Sequence, residues 1–348
     1  MKDKSKTIKQ ISELGEFGLI DHLTKDIKIK NQSLIKGIGD DAAVFETNGK
    51  YNLITTDLLV EGIHFDLIYT PLKHLGYKSV VVNLSDIYAM NATPKYITVS
   101  IAVSSKFSLN AIEELYKGIL LACEKYNVEL IGGDTSSSLS GLFINITAIG
   151  ECSKEEIVYR SGAKKNDLIC VSGDLGAAYL GLQLLEREKK IFLSDTAIQP
   201  QLEGYEYIVE RQLKPEARKD IIELLKKHNL QATSMIDISD GLSSELLHLC
   251  KNSKLGCKVF EDKIPVNSQS ITVAEMFRLD SSLAALNGGE DYELLFTIPL
   301  EKREEVEKIP DISIIGYMTS SADEKVFVTR NGVELELKAQ GWNPLIDL

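Results

Sequence analysis

Apolar residues recur along the chain at two periods, and polar or glycine-rich steps cut them into short blocks. Ile8, Ile11, Leu14, Ile20, Leu23 and Ile27 fall at helical spacing, which predicts one or two short helices over residues 8–28. Residues 34–45 read as strand, interrupted by Gly37, Gly39, Asp40 and Asp41. Neighbouring strand residues point to opposite faces, so Asp40 and Asp41 are expected to diverge, one toward a site and the other to water. Asn48-Gly49 predicts a hairpin, with a return strand over 51–56. Helices are predicted over 71–91 and 109–126, and strands over 97–103, 128–131 and 142–150.

Composition turns charged at 151–156, which sets expected domains of 1–153 and 154–348. A chain of 348 residues is also long for one core. The second half repeats the theme. A strand over 168–171 ends in Ser172-Gly173-Asp174 before a helix over 176–189. Residues 190–211 read as a loop plus a helix, and 215–228 as helical. Asp237-Ile238-Ser239-Asp240-Gly241 opens a helix over 242–252. Strands follow at 257–260, 292–298, 312–318 and 325–329, with a hairpin at Asn331-Gly332. Strands and helices alternate without a run of βαβ units, which predicts an α+β fold of mixed α/β layers.

A net charge of −12 argues against a nucleic-acid binder, which would carry a basic face. The five cysteines form no CxxC pair, as suits a reducing compartment. The N-terminus has no apolar leader segment, and no run approaches the ~18 apolar residues of a membrane span. The expected location is the cytoplasm.

The chemistry lies in acids that end apolar runs: Asp41, Asp57, Asp86, Asp134, Asp174, Asp237, Asp240 and Glu290. Singly, each reads as a turn or a helix cap. If they converge, two charges 4 Å apart cost roughly 4 kcal/mol at an effective dielectric near 20, so the cluster needs cations. The accompanying donors are hydroxyls (Thr55, Thr56, Ser85, Ser239), and the histidines show no HxxxH spacing. Oxygen ligation points to several Mg²⁺ or similar hard cations, with phosphate oxygens completing their shells. Gly37-Ile38-Gly39-Asp40-Asp41-Ala42 fits a dinucleotide fingerprint, but no helix follows it, and no P-loop occurs. The Gly173–Gly176 turn could hold an anion at a helix N-terminus, although Asp174 weakens that reading and close packing is the alternative. Arg160 reads as a phosphate contact or a surface ion pair, and His64 as a site residue or a core histidine. Trp342 reads as packing on the body of the protein or stacking on a planar ligand.

Seven motifs then occur in a fixed order: 37–43, Thr55-Thr56-Asp57 with His64, Asn83–Asp86, Ile131–Thr135, Arg160-Ser161-Gly162, Ile236–Gly241 and Gly288–Leu294. Together they resemble the thiamine-monophosphate kinase family, of the superfamily that includes aminoimidazole ribonucleotide synthetase and selenophosphate synthetase. The resemblance covers about residues 14–342. It implies an N-terminal α/β domain whose sheet pairs across a homodimer, a C-terminal α/β domain, and transfer of the ATP γ-phosphate to thiamine monophosphate. It further implies Asp41, Thr55, Thr56, Asp57, Asp86, Asp134, Asp237 and Asp240 as magnesium ligands. By the same resemblance Gly133, Asp134, Arg160, Ser239 and Tyr116 meet ATP, and His64, Glu290 and Trp342 hold the substrate. Other readings are an ATP-dependent synthetase of the same superfamily, or a nucleotide- and Mg²⁺-binding relative without turnover. The reactive N-terminal cysteine of selenophosphate synthetases is absent here.

Overall fold

A computed structural model describes residues 14–340. The first half builds a mixed six-stranded sheet, ordered β1-β2-β3-β6-β4-β5, from β1 (Leu34–Lys36), β2 (Ala43–Thr47), β3 (Lys50–Val60), β4 (Thr93–Ser104), β5 (Glu129–Ser138) and β6 (Leu142–Cys152). Only the β4–β5 pair is parallel. Helices α1 (Gly15–Thr24), α2 (Leu72–Ala89) and α3 (Leu109–Tyr126) belong to the same half. Strand alternation decides what the sheet covers. Leu53, Leu59, Ile97, Val99, Ile144, Ile146 and Ala148 are buried in one core with α2 and α3, whereas Ile54, Leu58 and Tyr96 stand exposed.

The second half is a mixed seven-stranded sheet, β13-β12-β9-β11-β7-β10-β8. Its strands are β7 (Leu168–Ser172), β8 (Ser234–Asp237), β9 (Gly256–Phe260), β10 (Leu294–Ile298), β11 (Ile312–Thr319), β12 (Lys325–Val328) and β13 (Glu334–Glu336). Around it lie α4 (Ala177–Ser194), α5 (Glu206–Leu213), α6 (Lys219–Lys227), α7 (Leu242–Ser253), α8 (Ser268–Met276), α9 (Ser281–Asn287) and α10 (Arg303–Val306). Every residue of β7, β8 and β10 is buried, because both faces of this end of the sheet are covered. This accounts for the apolar runs Leu168–Val171, Met235-Ile236 and Leu294–Phe296. Helix α1 rests on α7 through an edge-to-face contact of Phe17 with His248, ring centroids 4.6 Å apart. Residues 8–13 of the predicted first helix lie outside the described residues.

Three local expectations change. The strand expected to stop at Ile131 continues through Gly132-Gly133-Asp134 to Ser138, because β4 pairs with it along that whole length. The helix expected over 215–228 begins only at Lys219. Residues 37–42 form a loop between β1 and β2 rather than strand, so alternation does not apply to Asp40 and Asp41, and both side chains are shielded from water.

Helices α2 and α3 approach at two glycines. A Cβ on Gly76 would lie 2.0 Å from the Leu115 carbonyl oxygen, and one on Gly118 would lie 1.9 Å from that of Lys73. Alanine is otherwise the better helix former by up to about 1 kcal/mol. Here backbone contacts backbone and cannot yield, so the steric term decides the sign. Gly118→Ala should destabilise the protein by about 2 kcal/mol or more, read as a lower denaturation midpoint in urea. An unchanged or higher midpoint would contradict this packing.

Candidate functional site

Helix α2 is the element from which the site is built. It lies between the first sheet and β8, and Val80–Leu84 are buried all round. A polar stripe runs along it, with Ser79, Asn83 and Asp86 at i, i+4 and i+7. Asn83 Nδ2 donates to the Ser79 carbonyl at 3.0 Å, while its Oδ1 accepts from the Asp57 N–H at 3.0 Å. The carboxyl of Asp86 accepts from Thr55 Oγ1 at 2.5 Å, and Ser85 Oγ donates to Asp237 Oδ2 at 2.6 Å. Thus β3, α2 and the end of β8 deliver Asp57, Asp86 and Asp237 to one place.

Asp41 joins them from the β1–β2 loop. Oxygens of Asp41, Asp86 and Asp237 all lie within 4.8 Å of one another. Arg160 Nε and Nη2 donate to Asp41 Oδ1 at 3.0 and 2.5 Å, and the Arg160 N–H donates to Asp40 Oδ1 at 3.1 Å. Lys36 pairs with Asp40 at 3.1 Å. Asp41 Oδ2 is buried with no hydrogen-bond partner.

Burial, reinforced by neighbouring acids, pushes Asp41 up to about 7 and Asp237 to about 6. Asp57 rises to about 6 through burial, as does Asp240, where Glu16 and Glu290 add repulsion. Asp86 is raised by burial and then by Asp57, Asp237 and Asp41. Five carboxylates therefore compete in one basin. A sixth, Glu245, is buried behind the 238–241 loop. Its Oε1 accepts from the N–H groups of Ser239 and Asp240 at 3.1 and 2.8 Å. Sequence reasoning passed over Glu245, although an acid in the first turn of α7 was a visible signal.

The rim holds His64 and Glu290. His64 Nδ1 accepts from the Val60 N–H at 3.0 Å, and burial keeps its pKa low against the pull of Glu290. Glu290 Oε1 pairs with Lys78 Nζ at 2.9 Å, and Glu290 Oε2 accepts from Gln212 Nε2 at 2.8 Å. Lys78 and Gln212 were also missed. A lysine seven residues before Ser85, on a helix otherwise buried there, was the available signal for the first.

Four expected site residues stand apart from the basin. Thr56 points to the opposite face of β3, where its hydroxyl donates to the Ile146 carbonyl at 3.0 Å and meets Asn145 and Thr147. Only its main chain is left to act as a ligand, because the side chain alternates away from Thr55 and Asp57. Asp134 and Gly133 lie exposed on β5, three strand spacings from β3, or roughly 14 Å. Gly133 has φ +155°, and a Cβ there would strike the Val99 carbonyl oxygen at 1.8 Å, so β4 alone demands glycine. Tyr116 packs half-buried against the first core from α3. Trp342 lies outside the described residues.

Asp174, read with the other acids, belongs to a separate network, where Tyr207 Oη donates to it at 2.5 Å. At the Gly173–Gly176 turn the packing is close, a Cβ on Gly176 falling 2.8 Å from the Ala285 nitrogen, and the carboxylate at the helix start is the protein's own. Asp291 Oδ2 accepts from the Gly176 N–H at 2.7 Å, so a protein carboxylate fills the start of α4.

Residues 39–152 match the family described as AIR synthase related protein, N-terminal domain, and residues 164–329 match its C-terminal domain. The chain is 39% identical to the thiamine-monophosphate kinase of Buchnera aphidicola subsp. Schizaphis graminum, over 96% of this chain and all of that one. It is 34% identical to the thiamine-monophosphate kinase of Bacillus subtilis, over 95% and 99%. The solved structure of AaThiL complexed with AMPPCP and TMP superposes with a TM-score of 0.81 at 33% identity, covering 96% of this chain and 98% of that one. The thiamine monophosphate kinase of Aquifex aeolicus superposes with a TM-score of 0.76 at 30% identity, over 94% and 100%. The acid basin and the two-sheet scaffold thus sit in a chain that belongs to the thiamine-monophosphate kinase family.

Proposed function

We propose that the chain transfers the γ-phosphate of ATP directly, in line, to the phosphate of thiamine monophosphate, giving thiamine diphosphate. The observation that carries this is the basin of Asp41, Asp57, Asp86, Asp237 and Asp240 beside Arg160, in a chain of this family. The related structure holds AMPPCP, an ATP analogue, together with TMP, which supports the choice of both substrates. The acceptor phosphate is largely ionised at pH 7, since its second pKa is about 6, so the protein needs no general base. Its task is to bring two polyanions together.

The basin fits Mg²⁺. Its donors are all oxygens, and the buried, unpartnered Oδ2 of Asp41 is an open ligand position. Asp41, Thr55, Asp57, Asp86, Asp237 and Asp240 would hold several ions, which when bound neutralise the phosphates and stabilise the charge spread over the transferring group. Arg160 is placed to move from Asp41 to a phosphate, Ser239 faces ATP, and His64, Glu290 and Trp342 hold the thiamine moiety.

Asp134, Gly133 and Tyr116 complete the ATP and metal site in a homodimer, in which the exposed face of the first sheet meets a second copy. Ile54, Leu58, Tyr96 and Ile131, all exposed in the single chain, support that interface. The roughly 14 Å from β3 to β5 favours a partner's Asp134 over the chain's own. The domains divide at residue 153, between the end of β6 and the start of β7. Five cysteines free of disulfides suit a cytoplasmic setting. No helix among the described residues is long and apolar enough to cross a membrane.

Asp57→Asn should lower kcat by roughly 10²-fold or more in an ADP-release assay, and near-normal turnover would count against its place in the metal site. Leu58→Glu should halve the mass seen by sedimentation velocity; a dimer unaffected by it would move the interface elsewhere. The basin also fixes the sign of a pH effect. Asp41, Asp57, Asp237 and Asp240 titrate at about 6 to 7 when folded and near 4 when unfolded. The native state therefore binds more protons between those limits, and this part of the metal-free stability is lost as pH rises from about 4 to 7. Mg²⁺ binds the ionised form, so its gain in Tm should be small at pH 5 and larger at pH 8. An equal gain at both would sink the assignment.

A further inference from the structure

Glu290 sits in an unusual setting for a group that meets a cation-bearing substrate. Lys78, on α2, is 4% exposed, and its Nζ lies 2.9 Å from Glu290 Oε1 and 3.0 Å from the Gln212 carbonyl oxygen. Gln212, on α5, donates Nε2 to Glu290 Oε2 at 2.8 Å. Both carboxylate oxygens are thus engaged from behind, by one residue of each domain. The Glu290 side chain is still 29% exposed, and each oxygen keeps a second lone pair. Gln212 Oε1 is buried beside it with no partner of its own.

The backbone holds this carboxylate in place. Glu290 has φ +58°, between Gly289 at +71° and Tyr292 at +51°. Hydrogen bonds from Glu290 N to the Ser239 carbonyl (2.7 Å) and from Tyr292 N to the Ile238 carbonyl (2.8 Å) fix these left-handed residues against the 238–241 loop. Such conformations cost about 1–3 kcal/mol each and persist where surrounding structure over-determines them.

A carboxylate neutralised by a buried ammonium offers little to a thiazolium cation, because the pair has no net charge. It remains a good acceptor for an N–H donor. We infer that Lys78 and Gln212 are positioning residues that make Glu290 a hydrogen-bond acceptor rather than a counter-ion, and that the group it receives is the exocyclic amine of the substrate's aminopyrimidine ring. This rests on the reading that Glu290 meets the thiamine moiety. A carbonyl at the same ring position would face oxygen lone pairs and be rejected.

The test compares thiamine monophosphate with oxythiamine monophosphate, in which a carbonyl replaces the exocyclic amine, by ADP release. Wild type should prefer the amine substrate by at least about tenfold in kcat/KM. Lys78→Met should raise KM for thiamine monophosphate about tenfold, mainly without loss of kcat, and shrink the preference to about threefold or less. Lys78→Arg should keep most of it, and Gln212→Met should reduce it in the same direction. Gln212→Met carries the test alone if Lys78→Met does not fold by circular dichroism. An unchanged preference in these variants, even with a lowered Tm, overturns the inference, as does a wild type with no preference. Glu290→Gln with a wild-type KM would instead overturn the placing of Glu290 at the substrate. Absence of ADP release with thiamine monophosphate would overturn the reaction itself.

Discussion

Mutual repulsion among crowded carboxylates is the constraint around which this molecule is arranged. Asp41, Asp57 and Asp86 come from the first sheet and α2, and Asp237 and Asp240 from the second half, so the repulsion acts across the seam between domains. Side-chain donors hold three of these acids in place: Thr55 on Asp86, Ser85 on Asp237 and Arg160 on Asp41. Elsewhere the same seam is closed by favourable contacts. Tyr77 and Tyr126 both donate to Glu216 Oε2, at 2.5 and 2.6 Å, and Lys189 pairs with Asp66 at 2.7 Å. The scaffold offsets a repulsive centre with an attractive margin, which is the arrangement expected when function requires charge to be stored.

The second half repeats the strand–glycine–acid pattern of the first and reaches a different outcome. Asp291 and Glu293 are fully buried and Asp174 is partly so. Glu293, however, lies between Arg211 and Arg218 and also accepts from Ser172 Oγ at 2.5 Å. Asp291 fills the helix start that a phosphate would otherwise occupy. One acidic cluster carries its own cations and is structural. The other sets five acids beside Arg160, with Lys36 on Asp40, and that imbalance is what the proposed Mg²⁺ sites rest on.

What the sequence revealed follows from how local each signal was. The helix over Leu109–Tyr126 was readable to its ends because Ser108 caps it, accepting from the Ala111 N–H, and Asn127 closes it in the left-handed region at φ 56°. The acids of the basin were readable as carboxylates standing close behind apolar runs, although the loops that aim Asp41 and Asp240 were not. Reading failed where partners distant in the chain decided the matter. The polar tract Gly132–Ser138 is strand only because β4 pairs with it. Thr56 turns away from its neighbours through strand alternation that the Thr55-Thr56-Asp57 motif conceals. Lys78 and Gln212 acquire meaning only once α2 and α5 meet over Glu290, a contact that no spacing along the chain announces.

Helix α2 carries both Lys78 and Asp86, eight residues or about 12 Å apart along its axis. That interval is fixed by main-chain hydrogen bonding and by the glycine contact with α3, so side-chain exchange cannot stretch it. On the proposed roles of these residues, the helix acts as a gauge block between the end of the cleft assigned to the ring and the end assigned to the phosphates. Evolution toward a longer or shorter acceptor would have to insert or delete residues in α2, and would have to re-seat the whole helix against its neighbour to do so.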